Sequence, residues 1–352
     1  MPAFSLGYRP ALDGLRAVSI LAVLTRHSGW LSGGYLGVDV FFALSGFLIT
    51  ALLMEEYGRT GTITLRLFYA RRALRLLPAL AVFVVICEIV LLTTAPPALG
   101  PLVLQEGAAV MFYVANWALI SGLPMTIFSH AWSLAIEEQF YLVWPLVVGY
   151  GSPALVRRIA ASVICLSPVL RLYLSFHQVD LYTNVFCRLD GLMAGALLAL
   201  LIRTDEFSPS KFIPRARTLL FVAVPLAFVA EALGARWIGF SFVVVASASF
   251  VYLSLFSPAT WLRRALTNRF MVYTGTISYG LYLLHKIPFD IVEALHLNLH
   301  PWLVLPVGFA ACYVVAALSW NLLEKPFLKL KRHFEFKSGP SMPTKVAFSH
   351  AR

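Results

Sequence analysis

Charge is scarce in this 352-residue chain. Asp, Glu, Lys and Arg make up 13% of it, while 59% is hydrophobic and the mean hydropathy is +0.79. A soluble domain carries about 25% charged residues, so a soluble class is excluded and an integral membrane protein is indicated. Cysteine is also sparse. Cys87, Cys165, Cys187 and Cys312 fall in or beside apolar runs without metal-ligand spacing, which reads as small core hydrophobes and argues against a disulfide framework or a metal site. A cleavable signal peptide is not expected, because the first apolar run ends in Arg26-His27 where a small-residue cleavage site would stand. No internal repeat is visible. The net charge of +11 comes in short clusters between apolar runs, which is the pattern of membrane topology and not of a nucleic-acid surface.

What is present is a series of spanning-length apolar runs: 12–28, 36–54, 76–95, 133–150, 158–176, 187–203, 217–234, 237–256, 272–290 and 302–323. The stretch 102–121 is interrupted by Gln105, Glu106 and Asn116, and reads as interfacial or re-entrant. With both termini cytoplasmic, every Lys and Arg except Arg26, Arg171, Arg188, Arg236 and Lys286 falls on the inner side. The expected fold is therefore all-α and polytopic, with about ten transmembrane helices. It comprises a transmembrane domain over 1–334 and a polar cytoplasmic tail, 335–352, of disordered composition.

The ionisable residues inside these runs ask for an explanation, because a charge in a bilayer must face a bundle interior or a wet cavity. Arg16 and His27 are eleven helical steps apart, roughly 16 Å of rise and about three turns, so they share one face of one helix. His27, Asp39, Glu137, Glu138, Arg171, Arg188, Asp190, His285 and Lys286 all sort toward the outer side, which implies a polar cavity open there. Asp39, in the next hairpin, would fix the tautomer of His27 and raise its basicity. A headgroup-level histidine is the competing reading of His27. Glu137 and Glu138 equally suit catalysis or structural pairing with Arg171 or Arg188. On the inner side Arg71, Arg72 and Arg75 precede the third span. Arg72 and Arg75 share a helix face and suit bidentate phosphate binding; plain topology explains such a cluster as well.

The ordered set of these residues resembles the acyltransferase 3 family of membrane acyl-CoA-dependent O-acyltransferases. The match begins with Leu12-Asp13-Gly14-Leu15-Arg16-Ala17 and the Arg16/His27 pair. It continues through Gly34-Tyr35-Leu36-Gly37-Val38-Asp39-Val40-Phe41-Phe42, Ser45-Gly46-Phe47-Leu48-Ile49 and the Arg72/Arg75 pair. Trp132-Ser133-Leu134 with Glu137 to Phe140, Arg188-Leu189-Asp190-Gly191, Ser278-Tyr279 with Tyr282 to His285, and Glu324-Lys325-Pro326 complete it. The resemblance implies ten spans and a bacterial inner-membrane location. It implies acyl-CoA, acetyl-CoA by default, as donor from the cytoplasm, and the hydroxyl of a carbohydrate, glycolipid or natural product as acceptor. It also implies that His27 is essential and that Arg16, Arg72 and Arg75 serve the donor or its passage. Because the chain stops soon after its last span, it looks like the form without a fused extracytoplasmic domain.

The expected site is then catalytic His27, Asp39 and Glu137; donor-binding Arg16, Arg72 and Arg75; and acceptor-binding Arg171, Arg188, Asp190 and His285, with no metal. His27 would act as general base or as transient acyl carrier. Two alternatives stand beside this: a transporter or flippase without chemistry, against which the lack of inverted repeats speaks, and an enzyme that uses His285 as its catalyst.

Overall fold

The computed structural model describes residues 4–28, 30, 32–204, 207–294 and 301–330, so the tail 335–352 and His296, His300, His333 and His350 lie outside the described residues. Among the described residues every regular element is helical. In chain order they are α1 (Pro10–His27), α2 (Leu36–Thr60), α3 (Leu65–Thr94), α4 (Gly100–Met111), α5 (Ala115–Ile120), α6 (Trp132–Tyr150), α7 (Pro153–Phe176) and α8 (Val185–Leu201). There follow α9 (Pro209–Ala232), α10 (Arg236–Phe256), α11 (Thr260–Thr267), α12 (Arg269–Thr276), α13 (Ser278–Leu284), α14 (Lys286–Ala294), α15 (Pro301–Ser319) and α16 (Lys325–Leu330). A π-turn, Trp320–Glu324, joins the last two.

Local chemistry sets the ends. Pro10, Pro153 and Pro209 open α1, α7 and α9, where a missing N–H costs nothing. Ser152 and Asn184 accept backbone N–H groups at the starts of α7 and α8. Gly61, at φ 71°, ends α2 with its N–H on the Tyr57 carbonyl.

Six helical segments are long and apolar enough to cross a membrane: Gly33–Thr60, Leu65–Thr94, Pro153–Phe176, Pro209–Ala232, Arg236–Phe256 and Leu305–Leu330. Large apolar side chains such as Ile86, Ile89, Leu166, Val169, Phe221 and Val222 stand on their exposed faces. A water-soluble protein does not present apolar surface on this scale. The chain is a multi-pass integral membrane protein. The remaining runs marked in the sequence are also helical, but α1, α6, α8 and the α12–α14 series are short, interrupted or charged, and these carry most of the marked ionisable residues. The stretch 102–121 is divided into α4 and α5, of 12 and 6 residues. Neither approaches the roughly 20 residues of a span. The division falls at Tyr113, whose φ is +55°.

Burial of apolar surface does little to hold helices together in lipid, so close backbone packing matters more. A Cβ on Gly46 of α2 would lie 1.8 Å from the Leu192 carbonyl oxygen of α8, and one on Gly195 the same distance from that of Ala43. These glycines let α2 and α8 touch along their backbones. A Cβ on Gly14 would lie 1.9 Å from the Leu266 carbonyl oxygen, and one on Gly275 of α12 the same distance from that of Asp13. Two members of the motif series, Gly14 and Gly46, are thus explained by packing, and the Gly14 and Gly275 contacts fix the height of α1 against α12, which leads into the segment that carries His285.

Candidate functional site

Pro288 shapes the surroundings of His285. It has no N–H for the Leu284 carbonyl and its ring crowds that turn, so the helix breaks between α13 and α14. The carbonyls just before the break are bonded by imidazoles. His285 Nδ1 donates to the Tyr282 carbonyl at 2.7 Å, and His130 Nε2 donates to that of Leu283 at 3.0 Å. The ring of His27, at the exposed end of α1, lies 4.6 Å from that of His285, centroid to centroid. The His285 and His130 rings are 5.0 Å apart. Three imidazoles from three segments therefore form a row that runs from an exposed ring to buried ones. Among the described residues no group of His, Cys, Asp and Glu is arranged to hold a metal ion.

The surroundings hold this row in place. Tyr282 Oη donates to the His130 carbonyl at 2.8 Å and also bonds Ser133 Oγ. Lys286 Nζ donates to the Thr126 carbonyl at 2.8 Å and to Ser129 Oγ at 3.2 Å, tying α14 to the loop before α6. Sequence reasoning missed His130. Its signal lay two residues ahead of Trp132-Ser133-Leu134, in a short turn outside any apolar run.

A second cluster lies toward the other end of the same helices. Arg72 Nη2 donates to Glu138 Oε1 at 2.7 Å, and its guanidinium sits 3.5 Å from the centre of the Tyr141 ring. Arg16 pairs with Asp13 at 2.8 Å. Arg75 lies within electrostatic range of Arg16, Arg72, Tyr141 and Glu324 but makes no hydrogen bond or ion pair among the described residues. Glu137 accepts from Ser45 Oγ at 2.9 Å and lies near Arg72 and Arg16. The three expected donor arginines are thus brought together. Arg72 and Arg75 do not precede the third span, however, but lie within its helix. Arg72 is eight residues into α3, about 10 Å along it. A carboxylate and an aromatic face accommodate the guanidinium at that point of an otherwise apolar helix.

Other expectations are corrected. Asp39 does not orient His27; its Oδ1 accepts from Arg188 Nη2 at 2.6 Å across the α2–α8 contact. Glu137 and Glu138 pair with neither Arg171 nor Arg188, and Glu137 belongs to the arginine cluster and not beside His27. Arg171, expected at an open cavity, is fully buried. Its donors go to the carbonyls of Trp237 and Cys187, to Ser241 Oγ and to Asp190 Oδ2. Arg188 is stacked 4.2 Å from the centre of the Phe240 ring, and both it and Asp190 are 2% exposed. These three residues hold α7, α8, α10 and α2 together and face no open cavity. Of the expected acceptor set, only His285 stands in the histidine row.

A membrane helix bundle with clustered imidazoles and arginines at separate levels along α1 fits a group-transfer protein. The family model described as an acyltransferase domain matches residues 9–321, and the chain belongs to the acyltransferase 3 family. It is 32% identical over 351 residues to a Staphylococcus aureus (strain MSSA476) protein provisionally named an O-acetyltransferase, an alignment covering 92% of this chain and 58% of that one. It is 31% identical over 359 residues to the peptidoglycan O-acetyltransferase OatA of Listeria monocytogenes, covering 93% and 57%. To the O-acetyltransferase OatA of Staphylococcus aureus (strain NCTC 8325) it is 31% identical over 354 residues, covering 93% and 58%. The chain spans somewhat more than half the length of the curated relatives it matches. No solved structure matches it.

Proposed function

We propose that the chain is a membrane O-acyltransferase that moves an acyl group, acetyl by default, from cytoplasmic acyl-CoA to a hydroxyl of an extracytoplasmic carbohydrate such as peptidoglycan. Ten spans with both termini cytoplasmic, in a bacterial inner membrane, are part of this reading. The observation that carries it is the two-level arrangement on α1. Arg16 stands in an arginine cluster and His27 in a histidine row, eleven residues apart on one helix.

The chemistry follows from that arrangement. Arg16, Arg72 and Arg75 offer a cationic surface for the CoA phosphates, and Arg75 has its donors free for them. The pantetheine arm is then directed along α1 toward His27. His27 takes the proton of the acceptor hydroxyl as the oxygen attacks the thioester carbonyl carbon. The C–S bond breaks, and the proton passes to the departing CoA thiolate. Holding both reactants on one line supplies much of the acceleration.

The test is acetyl-CoA turnover by the purified full chain in detergent, with a carbohydrate acceptor and free CoA thiol as readout. Turnover in the wild type that disappears in His27→Ala, with the variant still monodisperse, is expected. Retained turnover in His27→Ala would overturn the base assignment, and no acetyl-CoA binding by the wild type would overturn the donor assignment.

A further inference from the structure

A general base of this kind works best when its second nitrogen is held by an acceptor that fixes the tautomer and steadies the imidazolium. Asp39 is committed to Arg188, so that place beside His27 falls to another group. The ring in contact with His27 is His285, in an edge-to-face arrangement with 63° between the planes.

The geometry determines which His285 nitrogen is protonated. A carbonyl oxygen only accepts, so the 2.7 Å bond to the Tyr282 carbonyl puts the proton of a neutral His285 on Nδ1. Its Nε2 is then a bare lone pair. That atom is buried and without a hydrogen-bond partner, in a side chain with no exposed surface. The same logic applies to His130. Its Nε2 is protonated toward the Leu283 carbonyl, and its Nδ1 is buried without a partner. Buried polar atoms are nearly always bonded, so an unmade bond calls for an explanation.

We propose that His285 is the positioning residue for His27. Its Nε2 accepts the N–H of the His27 nitrogen that does not face the acceptor hydroxyl, in the role the sequence suggests for Asp39. His130, whose ring packs against that of His285 at 5.0 Å, helps hold it in place. No bond is broken by this contact. When His27 takes the hydroxyl proton, the resulting imidazolium is stabilised by the His285 lone pair until the proton leaves with the thiolate. An exposed His27 ring can rotate into this bond when substrate arrives, as catalytic hydrogen bonds often tighten only in the substrate complex. The inference rests on His27 being the base.

Two variants separate positioning from packing. In His285→Asn the amide nitrogen can still donate to the Tyr282 carbonyl, but nothing replaces Nε2. In His285→Gln the amide oxygen reaches the position of Nε2. His285→Asn is expected to lower kcat on the order of 100-fold while leaving KM for acetyl-CoA within about twofold, and His285→Gln to recover most of that loss. Equal losses in both variants would overturn the acceptor role, since the two differ in where an acceptor stands. Turnover that depends on His27 but is untouched in His285→Asn would overturn this proposal alone. Turnover that survives His27→Ala would remove both the base and its partner.

Discussion

Two sets of arginines in this bundle obey opposite rules. Arg171 and Arg188 are sealed, with side chains 0% and 1% exposed, and each meets an aspartate at 2.7 and 2.6 Å. Arg171 spends four of its five N–H donors on protein acceptors. Arg16 and Arg72 keep 21% and 17% of their side-chain surface open, and Arg75 beside them is exposed and unbonded. Like charges gathered where solvent or ligand can enter are costly in a lone protein and useful to an anionic ligand. Opposite charges paired in a closed space hold helices in register. An arginine in a membrane run is therefore assigned by its partners and its access, and its residue type says little.

The largest expected effect tests the sealed set. Arg171→Ala leaves the Asp190 carboxylate buried without its cation, a loss of about 3–5 kcal/mol. Thermal denaturation in detergent should show it as a lower midpoint and less monodisperse protein, with KM for acetyl-CoA unchanged in what survives. Normal stability with a raised KM would break the comparison, because Arg171 would then be serving substrate. The next effect tests the open set. Arg75→Ala should weaken acetyl-CoA binding by tenfold or more, about 1.5–3 kcal/mol for the loss of a charge-assisted contact. Its thermal midpoint should hold or rise, since a like charge has been removed. Calorimetric titration of wild type and variant decides this, and undiminished affinity would remove Arg75 from the donor site.

The legible part of the molecule was that set by length and polarity. Apolar runs must reach a certain length to cross a bilayer, and six of the ten marked runs correspond to helices that do so among the described residues; the break in 102–121 could also be read. The pairing of helices could not. Asp39 stands close to His27 in the chain, and that proximity suggested contact. The direction of its side chain is set by how the first turn of α2 meets α8, which spacing does not reveal. The place of Arg72 and Arg75 within α3 was hidden for a related reason. A helix that opens with Arg66, Arg71, Arg72 and Arg75 does not look apolar until Leu76, although its backbone begins at Leu65. The break at His285 had a visible cause in Pro288, yet its use by two imidazoles depends on His130 arriving from a distant segment.

A smaller effect sharpens the boundary of the open set. Glu324 is 3% exposed at the end of the π-turn, with Ser319 Oγ donating to its Oε1 at 3.2 Å. A Cβ on Gly280 would come 2.8 Å from that same oxygen. Gly280→Ala should push the carboxylate aside at a cost of about 1 kcal/mol and, by disturbing the field at Arg75, raise KM for acetyl-CoA a few-fold with kcat little changed. An unaltered KM would show that the arginine cluster does not depend on the carboxylate behind it.

The smallest effect belongs to a pair with the same chemistry as the sealed set and none of its burial. Arg236 and Glu231 meet at 2.8 Å with side chains 65% and 33% exposed. Water already solvates both groups, and holding two long side chains in one geometry offsets most of the attraction, so Arg236→Ala should change stability by less than about 1 kcal/mol. Whatever effect exists should shrink further at 1 M salt, where screening acts within about 3 Å. The measurement is the thermal midpoint of wild type and Arg236→Ala at low and high salt, set beside that of Arg171→Ala. If the exposed pair were worth as much as the sealed one, burial would not be what separates a structural arginine from an available one, and the assignment of Arg75 to the donor would lose its physical basis.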